Sequence, residues 1–234
     1  TTDTPRTDMP REPRPFEEEL AFILGEARRY LSTAPTLADV RSVWVGLRPL
    51  VKPQDDNGGH TKAISREHTV LVSRSGLVTV TGGKWTTYRA MAEDVLDRCF
   101  EARLLPASVG GVTANLKLVG GDVATSAAVP ICEAPGLHVY GSEAPRVQAL
   151  PGADAELGGG LTEAMVRFAA REEYARTVED VLARRSRLLF LDAGLAIRLG
   201  PVVARLLREE TGADPHESDF AGLAAGYLPL RQPA

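Results

Sequence analysis

The chain has 234 residues, of which 44% are hydrophobic and 25% are charged, as in an ordinary globular protein. With 27 Lys and Arg against 31 Asp and Glu, the formal net charge is −4, which argues against nucleic acid as the main partner. No apolar run approaches the roughly 18 residues of a membrane-spanning helix. The acidic start is not that of a signal peptide. Because the chain opens on Thr1 without an initiator methionine, we expect a piece of a longer protein.

The first hundred residues alternate between helical and extended patterns. Apolar residues at helical spacing after Pro15 predict a helix that ends before Pro35. The alternation over 43–47 predicts a strand that stops at Pro49. Two β-branched runs, HTVLV and LVTVT, flank a glycine-containing turn and indicate a hairpin. The second run leads directly into a further amphipathic helix.

The second half of the chain is different in composition. Residues 106–120 are glycine-rich and predict a linker, and residues 121–234 are rich in Ala, Leu, Arg and Glu. Thr162, Thr177 and Asp192 each precede a helical pattern, and Gly212 is placed as a C-cap. We therefore predict an α+β chain, with a mixed α/β segment over 1–105 followed by an α-helical domain.

The stretch VTVTGGKWTTYRAM, residues 78–91, joins the second hairpin strand to the next helix. Adjacent glycines let a backbone approach a ligand closely, and the first helical turn offers unpaired N–H groups and a positive dipole end. Lys84, Thr86 and Thr87 add a charge and hydroxyls, which together suit an anion or the tail of a cofactor. The alternative is a tight turn with a solvated lysine. Similarly, Arg48 and Arg66 are either surface residues or anion ligands.

Other motifs exclude several chemistries. The four histidines lack metal-ligand spacing, and Cys99 and Cys132 form no paired pattern, so we predict no metal site and a reducing compartment. No glycine-rich nucleotide motif or nucleophile elbow is present. The run Arg184-Arg185-Ser186-Arg187 is either a solvated helix face or a contact for phosphate or acidic lipid.

Five motifs, in order, resemble the C-terminal half of the FAD-dependent (aerobic) glycerol-3-phosphate dehydrogenases. They are the opening TTD, VWVGLRPL, AISREHTV, VTVTGGKWTTYRAMAEDVLD and EYARTVEDVLARRSRLLFLDA. The fourth is similar to that family's GGK-x-TTYR motif beside the flavin, and the fifth to the hallmark of its helical C-terminal domain. The resemblance covers nearly the whole chain.

The resemblance implies oxidation of sn-glycerol 3-phosphate to dihydroxyacetone phosphate, with hydride transfer to FAD. It implies that basic side chains hold the substrate phosphate, at positions matching Arg48, Arg66 and Lys84. Residues matching the motif that meets the cofactor are Gly82, Gly83, Trp85, Thr86 and Thr87. We assign no catalytic residue in this chain.

The family's N-terminal Rossmann half is absent from these residues. Residues 1–105 would then be the C-terminal part of the FAD and substrate domain, and we expect the chain alone neither to retain FAD nor to turn over. The resemblance further implies quinone or another electron acceptor, a homodimer, and a cytoplasmic protein with peripheral contact at the inner face of the membrane. Two alternatives stay open: a flavoenzyme for an amino acid or a 2-hydroxy acid, and a non-catalytic helical module that mediates dimer or partner contacts.

Overall fold

The computed structural model describes residues 2–47, 68–106, 108, 110–124, 129–130 and 133–229. They form two compact units. The helical unit comprises Thr1–Gly46 and Leu118–Ala234, and the hairpin unit comprises Leu47–Lys117. The domain borders predicted from the sequence, after residue 105 and before residue 121, stay a prediction.

The hairpin unit is built from two antiparallel strands and one helix. Strand β1, His68–Val72, pairs with β2, Val78–Gly82, in a register that places Val70 opposite Val80. After a 3₁₀ turn over Trp85–Thr87, helix α2 runs from Tyr88 to Glu101. The hairpin and the helix that the sequence predicted are therefore confirmed. His68 Nε2 lies 2.9 Å from Asp94 Oδ2 and ties β1 to α2.

Most of the helical unit is formed by short elements around one long helix. The elements, in chain order, are α1 Glu17–Tyr30, α3 Ala144–Gln148, β3 Glu156–Gly158, β4 Leu161–Thr162, α4 Glu163–Glu172, α5 Leu188–Leu191, α6 Ala193–Thr211 and α7 Glu217–Ala225. Shorter 3₁₀ turns cover Leu37–Asp39, Thr113–Asn115 (in the hairpin unit) and Leu137–Glu143. The predicted α+β class is confirmed. No helix in the described part of the chain is long and apolar enough to cross a membrane.

The core of the helical unit lies between α4, α6 and α7. Leu182, Leu206 and Phe220 are among its largest fully buried side chains. Buried apolar area is the main stabilising contribution in such a bundle. Helix α1, in contrast, has no buried residue, and Phe22 on it is 54% exposed.

The helix ends follow the capping signals of the sequence. The Thr162 hydroxyl accepts a hydrogen bond from the Met165 N–H at 3.3 Å, and Asp192 Oδ1 accepts one from the Leu195 N–H at 2.8 Å. Gly212 ends α6 with a φ of 69°, in the left-handed region that glycine favours. The three predicted caps at these positions are confirmed.

Two local predictions differ from the structure. Residues 43–47 form no strand, because the N–H of Val43 donates to a helical-unit carbonyl, that of Tyr227, at 2.8 Å instead of joining a ladder. The alternating apolar pattern thus reflects docking rather than sheet pairing. After Thr177, the chain winds as a π-helix over Asp180–Arg185 rather than as an α-helix. The Ser186 N–H accordingly donates to the Val181 carbonyl, five residues back, at 2.9 Å.

A charged network joins α4 to α6. Arg171 Nε lies 2.5 Å from Glu210 Oε2, and Arg167 Nη1 lies 2.7 Å from Glu210 Oε1. The Glu210 side chain is only 8% exposed. The hydrogen bond from Arg171, aided by that from Arg167, holds the pKa of the Glu210 carboxyl below its ordinary value. The ionised form of Glu210 therefore stabilises the packing of the two helices.

We expect Glu210→Gln to lower the free energy of unfolding at neutral pH by about 1–3 kcal/mol, because it leaves two arginines without their shared carboxylate. Since the folded pKa of Glu210 is lowered, its stabilisation is present above the ordinary pKa of glutamate and is lost as the pH falls through the folded value. Urea unfolding between neutral and acidic pH should thus show a shallower pH dependence in Glu210→Gln. The control is Glu217→Gln. Glu217 pairs with Arg208 and is more exposed than Glu210. Equal pH slopes for Glu210→Gln and the wild-type chain would contradict the assignment.

Candidate functional site at the glycine-lysine turn

The turn between β2 and α2 brings together six of the eight site residues predicted from the sequence. These are Gly82, Gly83, Lys84, Trp85, Thr86 and Thr87, which run from the last residue of β2 to the end of the 3₁₀ turn before α2. The other two, Arg48 and Arg66, lie outside the described residues. The roles assigned to all eight from the resemblance stay predictions.

The two glycines hold a backbone conformation that other residues avoid. Gly82 has a φ of 76° and Gly83 a φ of 79°, both left-handed. A Cβ on Gly83 would lie 2.5 Å from Met91 Sδ and 3.1 Å from the Cβ of His68. Gly83 is therefore needed for the turn to pass closely over α2 and β1. This packing role is independent of any ligand, and it fixes the direction in which the next residues leave the sheet.

Lys84 and the residues after it face solvent. Lys84 has an extended backbone, and its carbonyl accepts hydrogen bonds at 3.0 Å from both the N–H and the hydroxyl of Thr87. Within the described residues, no carboxylate lies at ion-pair distance from the exposed Lys84 ammonium. An exposed ammonium ahead of the first turn of a helix is a candidate ligand for an anion.

An exposed aromatic pair lies directly beside Lys84. The rings of Trp85 and Tyr88 are stacked, with centroids 5.1 Å apart and planes at 22°. Trp85 is 84% exposed and Tyr88 is 50% exposed. Tyr88 was not among the site residues predicted from the sequence. The spacing of three residues between two aromatic side chains at a helix start was the signal for their contact.

Beneath the turn, His68 and Asp94 form a polar contact that sequence reasoning also missed. His68 is paired with Gly82 across the hairpin, and the 2.9 Å contact to Asp94 links this end of β1 to α2. Nothing in the local sequence connects two residues so far apart. Among the described residues, no group of three His, Cys, Asp or Glu side chains could hold a metal ion.

The site can therefore offer one cation, the start of a helix, threonine hydroxyls and a flat aromatic surface to a single ligand. Such a set suits a ligand that combines a planar ring system or an anionic group with polar edges. The left-handed glycines keep side chains away from one side of this surface. In these respects the turn fits part of a flavin nucleotide or a phosphorylated substrate.

The second half of the chain matches a known family of protein domains. Residues 111–218 match the family described as the C-terminal domain of alpha-glycerophosphate oxidase. This match covers most of the helical core, from the linker to the start of α7. The helical part is thus similar to the C-terminal domain of alpha-glycerophosphate oxidase.

Full-length relatives extend the match to the hairpin unit. The chain is 38% identical to a probable mitochondrial glycerol-3-phosphate dehydrogenase of Caenorhabditis elegans, over 91% of the chain and 32% of the relative. It is 36% identical to mitochondrial glycerol-3-phosphate dehydrogenase SDP6 of Arabidopsis thaliana, over 90% of the chain and 38% of the relative. It is 33% identical to the mitochondrial glycerol-3-phosphate dehydrogenase of Schizosaccharomyces pombe, over 97% of the chain and 42% of the relative.

The chain is similar, over nine-tenths or more of its length in these three cases, to the C-terminal portion of the glycerol-3-phosphate dehydrogenases, a family that is FAD-dependent in general. The resemblance recognised in the sequence motifs is thereby confirmed. The chain spans only about a third to two-fifths of the length of these relatives, from 32% to 42%.

Gly83→Ala tests the packing role of the turn. We expect it to lower the free energy of unfolding by at least the roughly 1–2 kcal/mol that a Cβ costs in the left-handed region, because Met91 must also move. Gly110→Ala is the matched control, since Gly110 has a φ of 56° but nothing within 4 Å of the added Cβ. Urea unfolding should show a larger loss of unfolding free energy for Gly83→Ala than for Gly110→Ala. Adding Met91→Ala to the Gly83→Ala variant should narrow the difference. If Gly83→Ala and Gly110→Ala lowered the free energy of unfolding equally, the close approach of Gly83 to Met91 would contribute nothing to the effect.

Proposed function

We propose that this chain is the C-terminal part of an FAD-dependent enzyme that oxidises sn-glycerol 3-phosphate to dihydroxyacetone phosphate. The observation that carries the proposal is the exposed Gly82-Gly83-Lys84 turn, which presents a cation at the start of α2. Its support is the similarity of nine-tenths of the chain to glycerol-3-phosphate dehydrogenases.

In this proposal, Lys84 binds the substrate phosphate together with Arg48 and Arg66. A phosphate at this turn would receive a charge-assisted hydrogen bond from the ammonium, and arginine forks would add bidentate contacts. The exposed turn, with its two left-handed glycines, Trp85 and the hydroxyl of Thr86, would lie against FAD. When bound, FAD supplies the acceptor for the hydride that leaves C2 of the substrate.

Two features of the hairpin unit favour a further part of the protein packing against it. Among the described residues of this unit the sheet has two strands, and a two-stranded sheet is at best marginally stable alone. Leu71, Leu77 and Val80 are 51%, 66% and 46% exposed. Additional strands from a flavin-binding part would cover such residues, so we expect the chain alone to hold no FAD.

Further proposals rest on the family resemblance alone. Electrons would pass from the flavin to quinone or another acceptor, in a cytoplasmic protein that touches the inner face of the membrane peripherally. A homodimer is proposed on the same basis. Each has a direct test: quinone reduction by the purified enzyme, vesicle sedimentation, and sedimentation velocity.

A comparison of two proteins tests the need for a flavin-binding part. We expect the product of the complete reading frame to purify with the visible absorbance of a flavin, and the 234-residue chain to purify without it. The physical reason is that the glycine-lysine turn offers only one side of a cofactor site. Tight flavin binding by the 234-residue chain in a titration would contradict this prediction.

Lys84→Ala tests the phosphate contact in the product of the complete reading frame. Removing one charge-assisted hydrogen bond, worth about 1.5–3 kcal/mol, should raise the KM for glycerol 3-phosphate by about 10- to 100-fold. Lys84→Arg should restore part of the affinity, and flavin content should stay constant. Arg74→Ala, which removes an exposed cation from the hairpin turn, is the charge-matched control. A KM equal to that of the control would sink the assignment of Lys84.

A further inference from the structure

Helix α2 carries apolar side chains on two adjoining sides, and the hairpin covers one of them. On the covered side, Met91 lies against Gly83, and Asp94 Oδ2 lies 2.9 Å from His68 Nε2. Further along the same side, Cys99 is buried. Contacts between the hairpin and α2 within this unit therefore account for the covered side of the helix.

The adjoining side of α2 is exposed, and we call the row of Trp85, Tyr88, Ala92 and Leu96 on it the α2 stripe. Tyr88, Ala92 and Leu96 are spaced four residues apart, so they share one face of the helix. Trp85 stacks on Tyr88 and extends the row to the glycine-lysine turn. All four residues are exposed, and even Leu96, in the third turn, is 47% exposed. Single exposed apolar residues are common, but a continuous row of them marks a contact site.

The basic side chains of α2 are already paired with carboxylates. Arg89 Nη1 lies 2.5 Å from Glu93 Oε1, and the Thr113 hydroxyl donates to the same oxygen at 3.0 Å. Arg98 Nη1 lies 3.1 Å from Glu101 Oε2. An apolar row beside paired polar groups is typical of a contact between protein surfaces. A contact with acidic lipid would instead need basic side chains that are free to bind it, so the pairing favours protein as the occupant.

We infer that the α2 stripe is the surface against which the flavin-binding part of the complete protein packs. This inference rests on the proposed function, in which FAD lies against the glycine-lysine turn. Trp85 belongs to that turn and Tyr88 begins α2, so the part of the protein that holds the rest of FAD lies next to this end of the stripe. The chain covers only 32% to 42% of the three relatives compared, so those proteins have ample length for such a part.

The side chains of the stripe define the chemistry of the surface that covers it. Ala92 is the smallest of the four and lies between Tyr88 and Leu96, so the row has a gap that a projecting side chain of the partner surface can fill. That side chain must be uncharged, because the stripe offers it no group of opposite charge and burial of an unpaired charge is costly. The partner surface is therefore aliphatic, and Ala92 is the position most sensitive to a change.

A matched pair of variants, Ala92→Cys and Ala90→Cys, tests the inference. Ala90 is exposed as well, but it lies about 160° away from Ala92 around the helix axis. Each variant is labelled with a maleimide in the 234-residue chain and in the product of the complete reading frame, and peptide mass spectrometry separates the new cysteine from the native ones. In the complete protein, Ala92→Cys should react at least about 10-fold more slowly than in the 234-residue chain, because close packing excludes the reagent. The labelling rate of Ala90→Cys should be the same in both proteins.

A second pair, Ala92→Glu and Ala90→Glu, tests the same surface by its energetics. In the 234-residue chain both variants should unfold at the same urea concentration, because both positions are exposed there. In the complete protein, Ala92→Glu should retain at least about 10-fold less flavin after dialysis than Ala90→Glu, because it forces an unpaired carboxylate into the contact. Equal flavin retention by the two variants would overturn the inference.

The labelling result distinguishes this inference from the proposed function, because it needs no activity. Ala92→Cys that reacts equally fast in both proteins, or slowly already in the 234-residue chain, would overturn the inference even if the complete protein oxidises glycerol 3-phosphate. Protection that disappears when the complete protein is diluted would assign the stripe to a second copy and would overturn it as well. Protection that persists on dilution, in a protein that does not oxidise glycerol 3-phosphate, would contradict the proposed function alone.

Discussion

The packing of α6 against its neighbours is the interaction on which the helical unit depends. Leu199, Val203, Leu206 and Leu207 form its buried stripe, which faces α4 and α7. The same helix sets the surface chemistry around the core, because its polar side carries the carboxylates that pair with arginines of α4. Its first residues, held by the Asp192 cap, are also where the extended segment 41–45 docks. One amphipathic helix thus fixes the core, the charged network and the docking surface together.

In the hairpin unit, the corresponding constraint is the close approach of the turn to α2. Because Gly83 lies against Met91 and His68, a side chain at this position would collide with the unit's own packing, and the next residue, Lys84, is exposed. Packing therefore demands glycine at this position. The tight turn and the proposed approach of a ligand are compatible explanations for the paired glycines, and Trp85 beside them is 84% exposed.

Much of the fold followed from the sequence, because local rules decided it. The caps at Thr162, Asp192 and Gly212 were predicted correctly, since capping depends on neighbouring residues alone. The strand predicted over 43–47 was wrong, because a period of two also describes an extended segment docked on helices. The π-helix after Thr177 depends on tertiary packing that no local pattern contains. For the site, the pattern located the turn, whereas the phosphate-binding role came only from the resemblance to a family.

We propose that this chain completes a flavoenzyme specific for glycerol 3-phosphate. The most direct measurement is anaerobic titration of the flavin in the product of the complete reading frame, with glycerol 3-phosphate, glycerol, amino acids and 2-hydroxy acids as separate reductants. We expect glycerol 3-phosphate to bleach the flavin rapidly. Bleaching by glycerol should be far slower, because glycerol lacks the phosphate that Lys84 would bind. Bleaching by an amino acid or a 2-hydroxy acid in preference, or a purified protein without flavin, would contradict it.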